Sequence, residues 1–395
     1  MSASSGIQLS PPSRGRVDLL IVAGEHSGDE HASRMLRGLL HGQPNLSVCA
    51  LGGPKLAAAG AQLLYDLTAQ SSIGFEVLKK ISFYRALIAE VVRWVGEHRP
   101  RAVCFVDSSG LNLRIAKGLF ERGFSAKAGG PTKTLYYISP QIWASRAGRR
   151  FKMAAHLDAL AAIFPFEPDR YADTSLPVTF VGHPFVAPDY APPVRFDANG
   201  PVMLLPGSRR QAVGRIFPVF LAAYAKTHAE IRRRAVVLYP SDGIRAELER
   251  VLAQDEFADV RGGVELRHVG EGGPDTAAIG ASAVLTSSGT MSMHCALAGI
   301  PGAVAYRTDG LTYFLGRFLV KVPYLGIANL LLNEPMYPEF IQHAATPEVL
   351  AAELRSCVND PKRRERTAAD AQRLHAMLAH TGGQSASEWL ARQLA

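Results

Sequence analysis

Four short strings in this chain carry residues that could do chemistry, and each begins where an apolar run gives way to a turn. The run Val284-Leu285-Thr286 ends in Ser287-Ser288-Gly289-Thr290, a helix of about two turns follows, and Gly299-Ile300-Pro301 resets the chain into another strand. Such a turn leaves unpaired N–H groups and the positive end of a helix dipole at the carboxyl end of a sheet, where a phosphate or diphosphate is held. Small side chains at Ser288 and Gly289 admit the ligand, and the hydroxyl of Thr290 can donate. An ordinary N-capped helix fits these residues equally well. In Leu204-Leu205-Pro206-Gly207-Ser208-Arg209-Arg210, Arg209 can grip a phosphate bidentately, with Ser208 and nearby N–H groups adding to a cradle. A solvent-exposed loop arginine is the plainer alternative. The third string, Gly24-Glu25-His26-Ser27-Gly28-Asp29, precedes a helix but does not match G-x-G-x-x-G. Gly24, Ser27, Gly28 and Asp29 either admit a substrate to the helix start or, through Ser27 or Asp29, cap it. Fourth, Asp107 ends the run Ala102–Val106 ahead of Ser108-Ser109-Gly110. A carboxylate there can take a proton from an attacking hydroxyl, and it can equally be a turn-former. The histidines are dispersed without metal-ligand spacing and the dinucleotide fingerprint fails, so no metal and no dinucleotide cofactor is expected, and His183 reads as a turn residue.

The elements that must position these strings alternate along the chain. Strands are expected near Val17–Ala23, Ser47–Leu51, Ala102–Val106, Lys133–Ile138, Ala159–Phe164 and Val178–Val181, with helices near Glu30–Leu40, Phe83–Glu97, Asn112–Glu121 and Ser145–Ala155. Val186–Gly200, with Pro188, Pro192 and Pro193, reads as a linker. A second series follows near Val202–Leu205, Ala235–Tyr239, Val264–His268, Ala283–Thr286 and Gly302–Tyr306, and helices dominate after Pro335. The pattern is α/β: two Rossmann-like, doubly wound domains facing each other across a cleft.

Length and charge agree with that division. At 395 residues, two domains are the default. Lys and Arg number 43 against 35 Asp and Glu, a net charge of +8 that favours anionic partners. The charge lies in short scattered groups such as Arg146, Arg149, Arg150 and Lys152, with no zinc-finger or RNA-recognition signature, so nucleic acid is not expected. Cys49, Cys104, Cys295 and Cys357 form no C-x-x-C pair and read as thiols of a reducing compartment. Residues 1–16 are Ser/Pro/Gly-rich and are expected to be disordered. They lack the features of a signal peptide, and no apolar run approaches membrane-spanning length. The expectation is a soluble chain that can sit on a membrane surface.

Taken in order, the strings resemble the lipid-A-disaccharide synthase family, glycosyltransferases of GT-B fold. The matches are Ala23-Gly24-Glu25-His26-Ser27-Gly28-Asp29, Ser72-Ile73-Gly74-Phe75-Glu76-Val77-Leu78, Val106-Asp107-Ser108-Ser109-Gly110-Leu111-Asn112 and Tyr137-Ile138-Ser139-Pro140-Gln141-Ile142-Trp143-Ala144. Phe164-Pro165-Phe166-Glu167, Phe180-Val181-Gly182-His183-Pro184 and Leu204–Arg209 follow. The most specific is Val322–Leu332, followed by Pro338-Glu339-Phe340. The resemblance implies an inverting, metal-independent transfer from UDP-2,3-diacylglucosamine to 2,3-diacylglucosamine 1-phosphate, giving lipid A disaccharide 1-phosphate and UDP. It implies Asp107 as catalytic base, Arg209 on phosphate and Asn329 at the nucleotide, with Ser208, Ser288, Gly289, Thr290 and His294 completing the nucleotide site. An acceptor domain over residues 17–185, a linker over 186–200, a UDP-sugar domain over 201–345 and helices over 346–395 packing back on the first domain follow from it. So does a peripheral place on the anionic inner face of the inner membrane, in the cytoplasm of a Gram-negative-type bacterium. Ile73, Phe75, Val77, Leu78 and Ile81, with Lys79, Lys80 and Arg85, would be the acyl-facing patch, and a core helix with a cationic outer face is the alternative. Oligomeric state is left open.

The chain departs from the family pattern in several places. Ser108-Ser109-Gly110 loses the second aspartate of the Asp-Ala-Pro-Asp string, and His26 replaces a small residue. The Gly74–Leu78 string is one residue short, and Ser145 stands for a tryptophan. His294 stands where the family places a glutamate on the ribose hydroxyls; a histidine can hydrogen-bond a diol but cannot accept twice as a carboxylate does. These departures keep two other readings in view: a different UDP-sugar enzyme of the same fold, such as another glycosyltransferase or a UDP-N-acetylglucosamine 2-epimerase, and a non-catalytic membrane-associated paralogue.

Overall fold

The computed structural model describes residues 7–71, 77–269, 278–287, 289–307, 323–379 and 384–395, with side chains for all of these except 70, 71 and 77–80. The chain divides into two compact units, Met1–Pro184 together with Leu378–Ala395, and Phe185–Met377.

The strands of the first unit are short apolar runs, and the central ones are buried along their whole length because helices cover both faces. They are β1 (Leu19–Ala23), β2 (Val48–Gly52), β3 (Gln62–Asp66), β4 (Ala102–Val106), β5 (Lys133–Tyr137), β6 (Ala159–Ala162) and β7 (Val178–Phe180). All pair in parallel, in the order β3-β2-β1-β4-β5-β6-β7. The winding direction reverses between β1 and β4, where Ala23 pairs with Val106. Gly24 and Asp107, the next residue of each strand, are therefore neighbours at the crevice where ligands of open α/β sheets bind.

Two expectations for this unit need correction. Residues 7–16 are ordered: Leu9 is buried, its N–H donates to Glu90 Oε1 at 2.8 Å, and Trp94 Nε1 donates to the Ser10 carbonyl at 2.8 Å. Leu9, Ile7 and Pro12 and a few backbone bonds hold the segment, a signal too small to stand out among Ser, Pro and Gly. The tail is also divided differently. The helix Pro347–Asn359 buries Leu350, Leu354 and Cys357 in the core of the second unit, and only Leu378–Ala395 belongs to the first. There the helix Ala386–Leu394, started by a Ser385/Glu388 capping box, packs on the helix His26–Gly42 at Gly38; a Cβ on Gly38 would lie 2.7 Å from Ser387 Oγ.

In the second unit the strands are β8 (Val194–Phe196), β9 (Val202–Leu205), β10 (Ala235–Tyr239), β11 (Val264–His268), β12 (Ile279–Ala281), β13 (Ala283–Thr286), β14 (Gly302–Tyr306) and β15 (Glu339–Ile341). Six form a parallel sheet in the order β11-β10-β9-β13-β14-β15, so the winding reverses between β9 and β13, where Leu205 pairs with Thr286. β8 pairs with β12 in a separate two-stranded sheet, so the expected linker 186–200 contains a strand, anchored by the buried Val194.

Candidate active site

In the first unit the residues after β1 and β4 make one cluster. Asp107 and Ser108 both adopt left-handed backbone conformations, φ 49° and 33°. Non-glycine residues stay there only when their surroundings hold them. Here the Asp107 N–H donates to the Tyr137 carbonyl at 3.0 Å, and the hydroxyl of the buried Tyr136 donates to the Asp107 carbonyl. The fully buried Asn112 gives its amide N–H groups to the carbonyls of Val106 and Asp107, each at 3.0 Å. With its backbone fastened on three sides, Asp107 presents a half-buried carboxyl group. Burial raises that group above the ordinary aspartate range, the charge of Glu25 raises it further, and the Ser108 N–H opposes both. A carboxylate so disfavoured is a stronger base than a free aspartate. Ser109 Oγ accepts from Arg149 Nη1 at 3.1 Å, which brings a cation to the same turn. Gly24 is required by the protein itself, since a Cβ on it would stand 2.6 Å from Ser108 Oγ.

The rest of the Gly24–Asp29 string does not converge on this point. Ser27 is exposed, Gly28 is buried within the helix, and Asp29 is turned inward. The Asp29 carboxylate accepts from the N–H groups of Gly53 at 2.8 Å, Lys55 at 3.0 Å and Leu56 at 3.2 Å, capping the helix Pro54–Ala58. Asp29, expected in the substrate turn, here serves another helix start through these three bonds.

Beyond β6 lies a carboxylate that sequence reasoning passed over. Glu167 is buried, and its Oε2 accepts from Ile163 N–H at 3.2 Å and Phe164 N–H at 3.0 Å. Burial pushes it from the ordinary 4.5 up to about 7, against those bonds. Because the folded value is the higher one, its contribution to stability is complete below 4.5 and is lost as pH rises through about 7. Glu167→Gln is expected to flatten that slope and to raise unfolding stability at about pH 8 by at most about 3 kcal/mol. Denaturant titrations of both proteins across this range check it, and identical slopes would discharge Glu167 from the role.

In the second unit the turns after β9 and β13 lie against each other. The Ser287 N–H donates to the Leu205 carbonyl at 2.8 Å. Gly207, at φ 109°, comes so close that a Cβ would meet Ser287 Oγ at 2.9 Å. Two helices begin here, Arg210–Ala225 with Arg209 as N-cap and Thr290–Leu297 with Gly289 as N-cap, and no side chain caps either start. Their first N–H groups lack intrahelical partners, and both dipoles bring positive charge to one spot. Ser208, Arg209, Gly289 and Thr290 are exposed. Arg210 is held by Glu247 at 3.1 Å, whereas the Arg209 guanidinium has no partner among the described residues. This is an anion seat with a free fork beside it.

Two residues expected at the nucleotide have partners within the protein. His294 is buried, against Phe185 with ring centroids 4.0 Å apart and planes tilted by 31°, and stacked nearly parallel to Tyr190 at 5.6 Å. The Tyr190 hydroxyl stands 3.2 Å from Nε2 and 3.3 Å from Nδ1. The imidazole expected at the ribose diol is flanked here by these two aromatic rings. Asn329 is likewise buried: Nδ2 donates to the Tyr337 carbonyl at 2.6 Å and to Glu339 Oε1 at 2.8 Å, and Oδ1 accepts from Tyr337 N–H at 2.9 Å. Glu339 also accepts from the N–H groups of Leu325 at 2.8 Å and Gly326 at 2.9 Å. Asn329, expected at the nucleotide, thus clamps the Tyr337 backbone and Glu339 together. Ser288, Ile73 and Phe75 lie outside the described residues, as do the side chains of Val77 and Leu78. Ile81 is 48% exposed, and Phe151, another large apolar residue on the surface, is 52% exposed under the Arg150 guanidinium at 4.3 Å.

Residues 19–394 match the family model described as lipid-A-disaccharide synthetase. The chain belongs to that family. It is similar to the lipid-A-disaccharide synthase of Geobacter metallireducens, 34% identical over 92% of this chain and 94% of the relative, and to that of Nitrosococcus oceani, 31% identical over 87% and 88%. Among solved structures it resembles the UDP-GlcNAc 2-epimerase of Neisseria meningitidis bound to UDP-GlcNAc, with a TM-score of 0.56, 11% identity and coverage of 91% and 98%. The calicheamicin glycosyltransferase CalG4 gives a TM-score of 0.55, with 13% identity and coverage of 96% and 98%. These likenesses show the fold: two Rossmann-like halves of GT-B type. As a lipid-A-disaccharide synthetase family member, the protein is a UDP-sugar glycosyltransferase of lipid A biosynthesis. Among the described residues, no helix is long and apolar enough to cross a membrane and no group of His, Cys, Asp or Glu has the arrangement of a metal site.

Proposed function

We propose that this family member transfers the diacylglucosamine of UDP-2,3-diacylglucosamine to 2,3-diacylglucosamine 1-phosphate with inversion. The observation that carries the reading is Asp107, fastened at the β1/β4 reversal with its carboxyl group raised by burial. In this reaction Asp107 takes the proton of the acceptor 6-hydroxyl, and the oxygen attacks the donor's anomeric carbon. The bond from that carbon to the diphosphate breaks, and UDP departs with the electron pair. Arg209, the uncapped helix starts at Arg210 and Thr290, and the hydroxyls of Ser208 and Thr290 meet the charge developing on the leaving group. Cations and N–H groups do here what a metal ion does elsewhere, so the transfer needs none. The net charge of +8 and the exposed Ile81 and Phe151 support contact with an anionic membrane face on the cytoplasmic side, where diacyl substrates reside.

The test is synthesis of the disaccharide 1-phosphate and UDP from the two defined acyl sugars, with and without a chelator. The expected result is equal turnover in both, with a β-linked product. Turnover of non-acylated UDP-sugars alone, to an epimer or another glycoside, would overturn the substrate assignment.

A further inference from the structure

The second unit also carries a concavity of about 510 Å³ at the opposite end of its sheet from the Gly207–Arg209 and Ser287–Thr290 turns. It opens where Pro201 enters β9 and Arg234 enters β10, at the amino ends of strands whose carboxyl ends carry those turns. Five arginines and two acids line it. Arg195 pairs with Asp197 at 3.3 Å and Arg267 with Glu265 at 2.6 Å, so both acids are already matched. The run Arg232-Arg233-Arg234 is left over. Among the described residues Arg233 reaches only neutral oxygens, the carbonyls of Ala198 at 3.2 Å and Arg232 at 3.4 Å and Asn199 Oδ1 at 3.3 Å, and its Nε is buried without a partner. Arg232 and Arg234 are exposed, and their guanidinium groups make no hydrogen bond or ion pair among the described residues. Arg232 is moreover held at φ 49°, the left-handed end of the helix His228–Ile231.

Three uncompensated guanidinium groups in one recess repel each other, and those of Arg232 and Arg234 carry unused donor forks. The ligand that answers both is a compact polyanion whose oxygens match those forks. The volume suits a small phosphorylated molecule or a lipid head group. We propose that this recess is a second anion site, taking a phosphate monoester or diphosphate group and separate from the sugar-transfer turns. That group belongs either to a soluble phosphate compound or to the head group of an anionic lipid.

Calorimetric titration of the full chain with inorganic pyrophosphate, in the presence of saturating UDP, separates this site from the transfer turns, and Arg209→Gln is the parallel check. Arg232→Gln/Arg234→Gln is expected to weaken pyrophosphate binding by about tenfold or more, since each lost charged bond is worth about a decade in affinity. Arg209→Gln and the charge-matched surface control Arg37→Gln/Arg122→Gln are expected to leave it unaltered. Sedimentation with phosphatidylglycerol vesicles, against phosphatidylcholine vesicles, identifies the source. Retention lost in the Arg232/Arg234 variant assigns a lipid head group; pyrophosphate binding with vesicle retention unaffected assigns a soluble phosphate. The proposal is overturned if that variant matches wild type in both arms, or if the Arg37/Arg122 control falls as far.

Discussion

Asp107→Asn is expected to lower kcat by about 10²- to 10⁴-fold, the usual worth of a positioned base, with little change in KM. Asparagine keeps the shape of the side chain, so the left-handed turn held by Tyr136, Tyr137 and Asn112 survives the substitution. The variant should also be no less stable than wild type. The folded pKa of Asp107 lies above the ordinary value because of burial and Glu25, so its contribution to stability is present below the unfolded pKa and is lost as pH rises through the folded one. At neutral pH the ionised carboxylate therefore weighs against the fold, and removing the charge relieves it. The same shift places the acid limb of the kcat profile above the ordinary aspartate range, and that limb should vanish in the variant. Thermal melts and a pH–rate profile with the diacyl sugars measure both. A variant of wild-type speed would remove Asp107 as base.

Arg209 offers the opposite kind of experiment, since its exposed side chain makes no hydrogen bond or ion pair among the described residues. Arg209→Ala is expected to cost about 10²- to 10³-fold in kcat, as for loss of one fixed donor at developing charge, while stability stays within about 0.5 kcal/mol. Arg209→Lys should recover only part of that loss, because an ammonium supplies charge but not the planar fork that grips two phosphate oxygens together. UDP affinity, read by calorimetry, should fall in the same order. Full activity in Arg209→Ala would place the leaving-group contacts elsewhere.

How far the fold could be read beforehand depended on burial. Ala102–Val106 and Val202–Leu205 are wholly buried, so their apolar runs announce them. Gln62–Asp66, Val194–Phe196 and Glu339–Ile341 are partly exposed edge or satellite strands, three to five residues long, whose mixed composition resembles loop. The turns of the site were visible because glycine, serine and aspartate directly follow buried strands. The direction of each side chain was not visible. Asp29, in the first turn of the helix His26–Gly42, and Asp107, just after β4, both belong to strings that follow a β-strand, yet one is turned inward to cap Gly53–Leu56 and the other stays at the crevice. The internal bonds of Asn329 and the ring neighbours of His294 were not legible for a related cause: an amide or imidazole can be engaged from behind, and only packing tells which.

The return of Leu378–Ala395 to the first unit has a consequence for biogenesis. During synthesis, residues up to Pro184 emerge long before the helix that covers Gly38 and accepts bonds from Arg101 and Lys133 at its last turn. The nascent first unit must wait, with the surface destined for Trp389 and Leu390 bare, while nearly two hundred further residues are translated. N-terminal domains ordinarily close first on the ribosome. Here the order is inverted: the earliest-made unit is the last to be finished, and its unsealed helix face is where a holding chaperone would find its purchase.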